Sequence, residues 1–304
     1  MRPLLPLILA ATLWTPSRAF AADTPGSSPQ VLFDDFSYAS TDELEAYGWT
    51  VRTRIGWPGI ENAAWRKENV SFPADPGRPG NRMLRMTSST DGTPAHTFQT
   101  QICQQRKFKE GTYAARVHFT AGPASGPAGD GVVQSFYTYS TVDMPKDPNY
   151  SECDFEYLPG GGWGHKEPAL FVTTWRTAEP LPDGKNDNTY NVIPGREGGW
   201  HVLVLQVGGG HVRYFLDGRL IAYHDGPYYP REIMSFNFNL WFIREAVGPS
   251  RQARSYEEDI DWVYFEKGAL GTAEVEQRVQ ALRKAGIPRQ DTVESMGLPC
   301  PCNN

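Results

Sequence analysis

The sequence predicts an all-β domain, a sandwich or barrel of antiparallel strands. Three observations predict it. Short alternating or apolar runs recur roughly every ten to fifteen residues from position 31 to 266, with Gly, Pro, Asn and Asp clusters between them. The composition, 30 Gly, 25 Pro and 12% aromatic residues, suits many strands and turns and leaves ring surfaces for ligands. Helical periodicity occurs once, near the C-terminus, so the runs are not separated by the helices that βαβ units require.

The elements follow in order. "MRPLLPLILAATLWTPSRAFAADT" has Arg2 as a basic start, an apolar stretch from Leu4 to Trp14, and small residues at Ala19 and Ala21. It reads as a secretory signal peptide over 1–21, followed by a flexible segment at 22–30. The apolar stretch falls short of the roughly 20 residues a membrane span needs, so an exported, soluble chain is expected, with no membrane partner. From 31 to 268 the runs "VLFDDF", "RMLRMTS", "TFQTQICQQ", "TYAARVHFT", "VVQSFYTYS", "ECDFEYL", "ALFVTTW", "HVLVLQV", "HVRYFLD", "RLIAYHD", "IMSFNFNLWFI" and "EDIDWVYFE" supply the strands of one domain. Asp217-Gly218 between two alternating runs is the signature of a two-residue hairpin turn.

The stretch 176–198, "RTAEPLPDGKNDNTYNVIPGREG", reads as a long polar loop. "GTAEVEQRVQALRKAGIP" spaces Val275, Val279 and Leu282 as one helical face, with Thr272 as N-cap and Gly286 as the stop. The remainder, 269–304, is therefore a helix packed on the outside of the sandwich and a polar tail. Four cysteines do not compel a disulfide framework. Cys300 and Cys302 are too close for a relaxed mutual bridge, and Cys103 and Cys153 lie inside strand runs where a buried thiol is an ordinary core residue.

A net charge of −6 with thinly spread Lys and Arg argues against a nucleic-acid partner. The histidines show no metal-ligand spacing, and "GGGWG" lacks the Lys-Ser/Thr of a phosphate loop. Asn69 and Asn149 stand in glycosylation sequons by pattern alone. A monomer is expected.

The chemistry concentrates in "NYSECDFEYLPGGGWG". Glu152, Asp154 and Glu156 occupy alternate positions of a strand and so share one face, while Cys153 and Phe155 share the other. A merely solvated face is one reading, but it would mix in Lys, Thr or Ser rather than repeat like charges. Calcium is a second. The end residues of the triplet have Cα atoms about 13 Å apart on an extended strand, too wide for one ion without a sharp bend. Glycoside hydrolysis uses all three acids. A retaining mechanism needs a carboxylate nucleophile and an acid/base partner about 5–5.5 Å away. Asp154 then shares a proton or hydrogen bond with Glu152, and the crowded charge keeps Glu156 protonated.

These residues resemble the E-x-D-x-E strand of glycoside hydrolase family 16, the lichenase, laminarinase and xyloglucan-transferase group. "KFKEGTYAARVHF", "VVQSFYTYS", "LFVTTW", "GGWHVLVLQVGGGHVRYFLDGRLI", "IMSFNFNLWF" and "EEDIDWVYFE" extend the resemblance over roughly residues 31 to 266. It implies a jelly-roll sandwich of two antiparallel sheets with a concave, sugar-binding face. It also implies Glu152 as nucleophile, Asp154 as its helper and Glu156 as acid/base. Asn239, Trp241, Trp175 and, by analogy, Arg106 would be substrate contacts, Tyr139 joins them as an aromatic residue near the acid triplet, and Asp261 matches a family acid at a structural calcium site. No cofactor is needed for the chemistry. Cys153 replaces the usual aliphatic residue, and Tyr150-Ser151 stand where many relatives carry Trp-Asp. The loop "TVDMPKDPN" and the polar stretch after Trp175 also depart from lichenases.

The function so implied is an exported endo-β-glycanase, retaining, acting on β-1,3 or mixed β-1,3/1,4-glucan. The alternatives are hydrolysis or transglycosylation of another β-linked polysaccharide such as a galactan, or a lectin-like module that binds without cutting.

Overall fold

The computed structural model describes residues 29–179 and 186–303. The signal peptide expected at 1–21, most of the segment 22–30, and positions 180–185 of the polar stretch lie outside the described residues. In chain order the elements are β1 (Val31–Asp34), α1 (Thr41–Ala46), β2 (Trp49–Val51), β3 (Ala64–Trp65), β4 (Val70–Ser71), β5 (Leu84–Thr90), β6 (Phe98–Gln104), β7 (Gly111–Phe119), β8 (Val132–Tyr139) and β9 (Glu152–Leu158). They continue with β10 (Ala169–Thr177), β11 (Asp187–Pro194), β12 (Gly199–Gly208), β13 (His211–Leu216), β14 (Arg219–Asp225), β15 (Ser235–Phe242), β16 (Arg254–Glu266), α2 (Thr272–Lys284) and β17 (Arg289–Asp291).

The strands form two antiparallel layers, the jelly roll that the sequence implied. The front layer runs β11-β10-β9-β8-β15-β6-β2. The back layer runs β14-β13-β12-β7-β16, with β5 and then β1 on the far side of the long β16. Strand alternation sorts the front layer cleanly. Cys153, Phe155 and Tyr157 of β9 enter the core with Phe136 of β8 and Phe236 and Phe238 of β15. Against them the back layer sets Tyr113, Val117, Leu203, Leu205 and Tyr214. The opposite face of β9 is thereby freed for Glu152, Asp154 and Glu156.

The hairpin is as read: Asp217 and Gly218 both adopt positive φ, 51° and 81°, the pairing a two-residue turn of primed type needs. α2 buries Val275 and Val279 against Val31, Phe33, Val204, Trp262 and Tyr264 on the outer face of the back layer. Its N-cap is Gly271 rather than Thr272. The Glu274 carboxylate accepts from the Gly271 N–H at 2.7 Å, and Thr272 opens the first turn. Gly286 does end it, at φ 70°. Among the described residues no helix is long and apolar enough to cross a membrane.

Two expectations need correction. The stretch 176–198 is not a loop throughout, because Asp187–Pro194 is a strand paired along β10. As the edge of the front layer it is part-exposed on both faces, so its sequence carries no apolar alternation. The C-terminal tail is also more than a polar end. Arg289–Asp291 pairs with β1, and the chain then crosses to the front layer, where Arg106 bridges Leu298. There Cys103 meets Cys300 and Cys302 at Cα separations of 6.1 and 6.0 Å, both within disulfide reach. One sulfur holds one disulfide, so Cys103 joins one of the two. Cys103 is thus not an ordinary core thiol, whereas Cys153 is buried and unbonded.

Candidate active site

β9 lies mid-sheet between β8 and β10 with unbroken register, so no bulge displaces any of its three acids. Glu152 stands opposite Tyr139 and Trp175, Asp154 opposite Tyr137 and Thr173, and Glu156 opposite Ser135 and Phe171. Central pairing on both sides fixes the backbone, and the packed Cys153 and Phe155 beneath fix the direction in which the acids project. Asp154 is 2% exposed, while both glutamates keep part of their surface open to the cavity above.

That cavity, about 310 Å³, is bounded by the three acids, Tyr137, Tyr139, Asn239 and Trp241. Its far end is formed by Arg52, Gln101, the segment Arg54–Pro58 and the tail residues Pro301 and Cys302. The Gly-rich turn after β9 shapes the other rim. A Cβ on Gly161, at φ 73°, would come within 2.5 Å of the His165 carbonyl oxygen, so glycine lets the turn close on itself. The turn presents Trp163, exposed and edge-on to Phe171 at 5.1 Å, beside Trp241 at 6.2 Å.

The electrostatics separate the acids. Burial pushes the Glu152 carboxyl up to about 8, against which its hydrogen bond with Asp154 lowers it. Asp154 is driven well above the ordinary aspartate range, first by burial and then by the Glu152 charge. Burial and the neighbouring Asp154 do the same to Glu156, which has no hydrogen bond to pull it back. Partial exposure moderates the desolvation of the two glutamates. The order is nonetheless set by contacts: of the three, Glu152 most readily carries the charge. Trp175 donates its indole N–H to Asp154 Oδ2 at 2.7 Å. Asp154 Oδ1 has no partner of good hydrogen-bond geometry, which leaves it for the Glu152 carboxyl beside it.

The structure therefore brings Glu152, Asp154, Glu156, Tyr139, Asn239 and Trp241 together around one cavity. Trp175 reaches the site as the anchor of Asp154 rather than as part of the cavity wall. Arg106 lies off the cavity and donates to Thr141 Oγ1 at 3.0 Å. Sequence reasoning missed Arg52, Gln101 and Tyr137. Strand parity with Tyr139 was the available signal for Tyr137, and nothing in the sequence marked Arg52 or Gln101.

Asp261 is a correction. Its carboxylate accepts from Asn81 Nδ2 and Arg283 Nη2, each at 2.7 Å, and from Arg116 Nη1 at 2.8 Å, with Arg78 at 3.4 Å. Three guanidiniums occupy the lone pairs and supply the positive charge that calcium would bring. A calcium ion does not fit this donor set.

Comparisons with solved structures match the whole sandwich. The Bacillus licheniformis β-glucanase superposes with a TM-score of 0.55 at 16% identity, covering 79% of this chain and 100% of that one. A Bacteroides ovatus mixed-linkage-glucan protein of glycoside hydrolase family 16, in complex with product, gives 0.58 at 18%, covering 77% and 98%. The κ-carrageenase from Pseudoalteromonas carrageenovora, in complex with an oligotetrasaccharide of κ-carrageenan, gives 0.54 at 16%, covering 82% and 98%. No family model and no curated protein sequence matches the chain. At these identities the likeness establishes a shared jelly-roll fold.

Proposed function

We propose that this chain is an exported, retaining endo-β-glycanase of the family 16 type. The observation that carries the reading is the row of three carboxylates on one unbroken central strand, open to a cavity and ordered in proton affinity by their own contacts. Glu156 donates its proton to the glycosidic oxygen as that bond breaks, and Glu152 attacks the anomeric carbon to give a covalent glycosyl–enzyme. Asp154, steadied by Trp175, hydrogen-bonds Glu152 and keeps enough negative charge on it for attack. Glu156, now a carboxylate, takes a proton from water, which displaces the sugar and restores the resting enzyme.

The backbone expected from the sequence is β-1,3 or mixed β-1,3/1,4-glucan. A second reading, another β-linked polymer of the galactan type, is favoured by the arginine-lined end of the cavity. A lectin-like module is disfavoured because the chain keeps every acid the reaction needs. Reducing-end release from a panel of β-glucans and galactans tests the reading, with NMR of the first product anomer. Cleavage with retention is expected. No cleavage of any member, or an inverted anomer, contradicts the proposal.

A further inference from the structure

Two arginines are buried among the described residues, and they are treated differently. Arg254 sets Nε and Nη2 on the two oxygens of Asp130, both at 2.6 Å, a bidentate pair. Arg52, 7% exposed, has only neutral partners. Its Nε donates to the Arg54 carbonyl at 2.9 Å, Nη1 to Gln101 Oε1 at 2.8 Å and Nη2 to the Trp57 carbonyl at 3.0 Å. The guanidinium lies 4.1 Å over the Trp65 ring. Among the described residues no carboxylate reaches it. A guanidinium has five N–H groups, so two remain beyond these three bonds. Burial pushes its pKa down to about 10, which still leaves it charged at neutral pH. A buried charge without a counter-charge is costly, and the site it lines is a ligand cavity.

Three further features point the same way. Arg54, exposed and without an ion pair among the described residues, lines the same end. Between the arginines and the acids stand only neutral polar groups, Gln101, Tyr137, Tyr139 and Asn239. The acids stand on β9 and Arg52 follows β2, four strands away across the front layer. The end is also walled. Asn303 Oδ1 accepts from the backbone N–H groups of Thr53 and Arg54 at 3.0 and 3.1 Å, and Cys302 sits against Cys103 on the cleft floor.

We propose that this end of the cavity is a subsite for an anionic substituent of the polymer, a sulfate ester or a uronate carboxylate, gripped by the Arg52 fork with Arg54 at the mouth. The inference rests on the glycanase reading for the nature of the polymer, and it moves the substrate from a neutral glucan to a β-linked chain carrying charged groups. Charge-assisted pairing of guanidinium with such an oxyanion is geometrically matched and strong.

The experiment measures binding rather than turnover. The Glu152→Gln protein is titrated calorimetrically with matched oligosaccharides: a sulfated galactan oligomer and its desulfated form, and a uronate-bearing oligomer and its carboxyl-reduced form. The charged member of one pair should bind about 10- to 100-fold tighter, and the pair that responds identifies the anion. Added salt should narrow the gap. Arg54→Ala, at an exposed position, should narrow it severalfold, and Arg52→Gln should remove it. If Arg52→Gln does not fold, Arg54→Ala and the salt series decide. Equal affinity within both pairs, including none, overturns the subsite, as does a gap that Arg54→Ala and salt leave unchanged. Cleavage is scored separately on the wild-type chain. A protein that binds the charged oligomer through these arginines yet cuts no polymer contradicts the glycanase reading and leaves the subsite standing.

Discussion

Asp154 and Asp261 are both buried aspartates on β-strands of the same sandwich, 2% and 0% exposed, and burial alone pushes both carboxyls upward. Their neighbours then send them in opposite directions. Around Asp261 the back of the molecule gathers Arg283, Arg116, Arg78 and Asn81, and the carboxyl ends below the usual aspartate range. Asp130, gripped by Arg254 and accepting from Tyr256 at 2.9 Å, ends lowered as well. Around Asp154 stand two more acids and an indole, and the carboxyl ends well above it. Asp261 and Asp130 are given cations, and among the described residues none of the three cavity acids has an ion pair. That is what a proton-transferring pair requires, because a nearby guanidinium would strip the proton from the acid and blunt the nucleophile.

The largest effect that sharpens this contrast is on turnover. Glu152→Gln removes the attacking oxygen without touching the packed face of β9. Its kcat should fall by more than about 10⁴-fold while circular dichroism and ligand binding persist. Asp261→Asn should do the reverse. Breaking a buried ion pair from one side costs about 3–5 kcal/mol, so the midpoint of denaturant unfolding should drop sharply while kcat at low temperature holds. If Asp261→Asn lost activity without losing stability, the division between the two regions would fail.

Smaller effects appear in pH dependence, and their signs differ. Asp261 has a depressed folded pKa, so its contribution is present above the unfolded value of about 4 and is lost as pH falls through the folded pKa. Glu152 is raised from 4.5 to about 8, so its ionisation costs stability progressively as pH rises through that window. Glu152→Gln should therefore stabilise the fold at pH 8 by about 1–2 kcal/mol after allowing for the residue's partial exposure, and by nothing near pH 4. Urea titrations at the two pH values check it. In the wild type, kcat/KM should follow a bell whose acid limb lies above the 4.5 of an ordinary glutamate.

The two regions were not equally legible in the sequence. The face shared by Glu152, Asp154 and Glu156 follows from the period of a strand, a local property that five residues display. Asp261 read as a calcium ligand because its partners come from positions 78, 116 and 283, brought together only by the fold. Arg52 and Gln101 are 49 residues apart and Asn303 and Thr53 are 250 apart, so the far end of the cavity left no pattern to read. β11 was missed for a different reason. A part-exposed edge strand has no buried face to impose alternation.

The central claim is that the two ends of "ECDFE" serve opposite faces of the sugar, Glu152 as nucleophile and Glu156 as acid/base, and chemical rescue tests it most directly. Glu156→Ala should slow a polysaccharide by about 10²–10⁴-fold and an aryl glycoside with an activated phenol far less. Azide, which needs no base, should restore turnover of that aryl glycoside and give a glycosyl azide of β configuration. Glu152→Ala with azide should give the α azide from the opposite face. Rescue of neither variant, or the same anomer from both, would contradict the account.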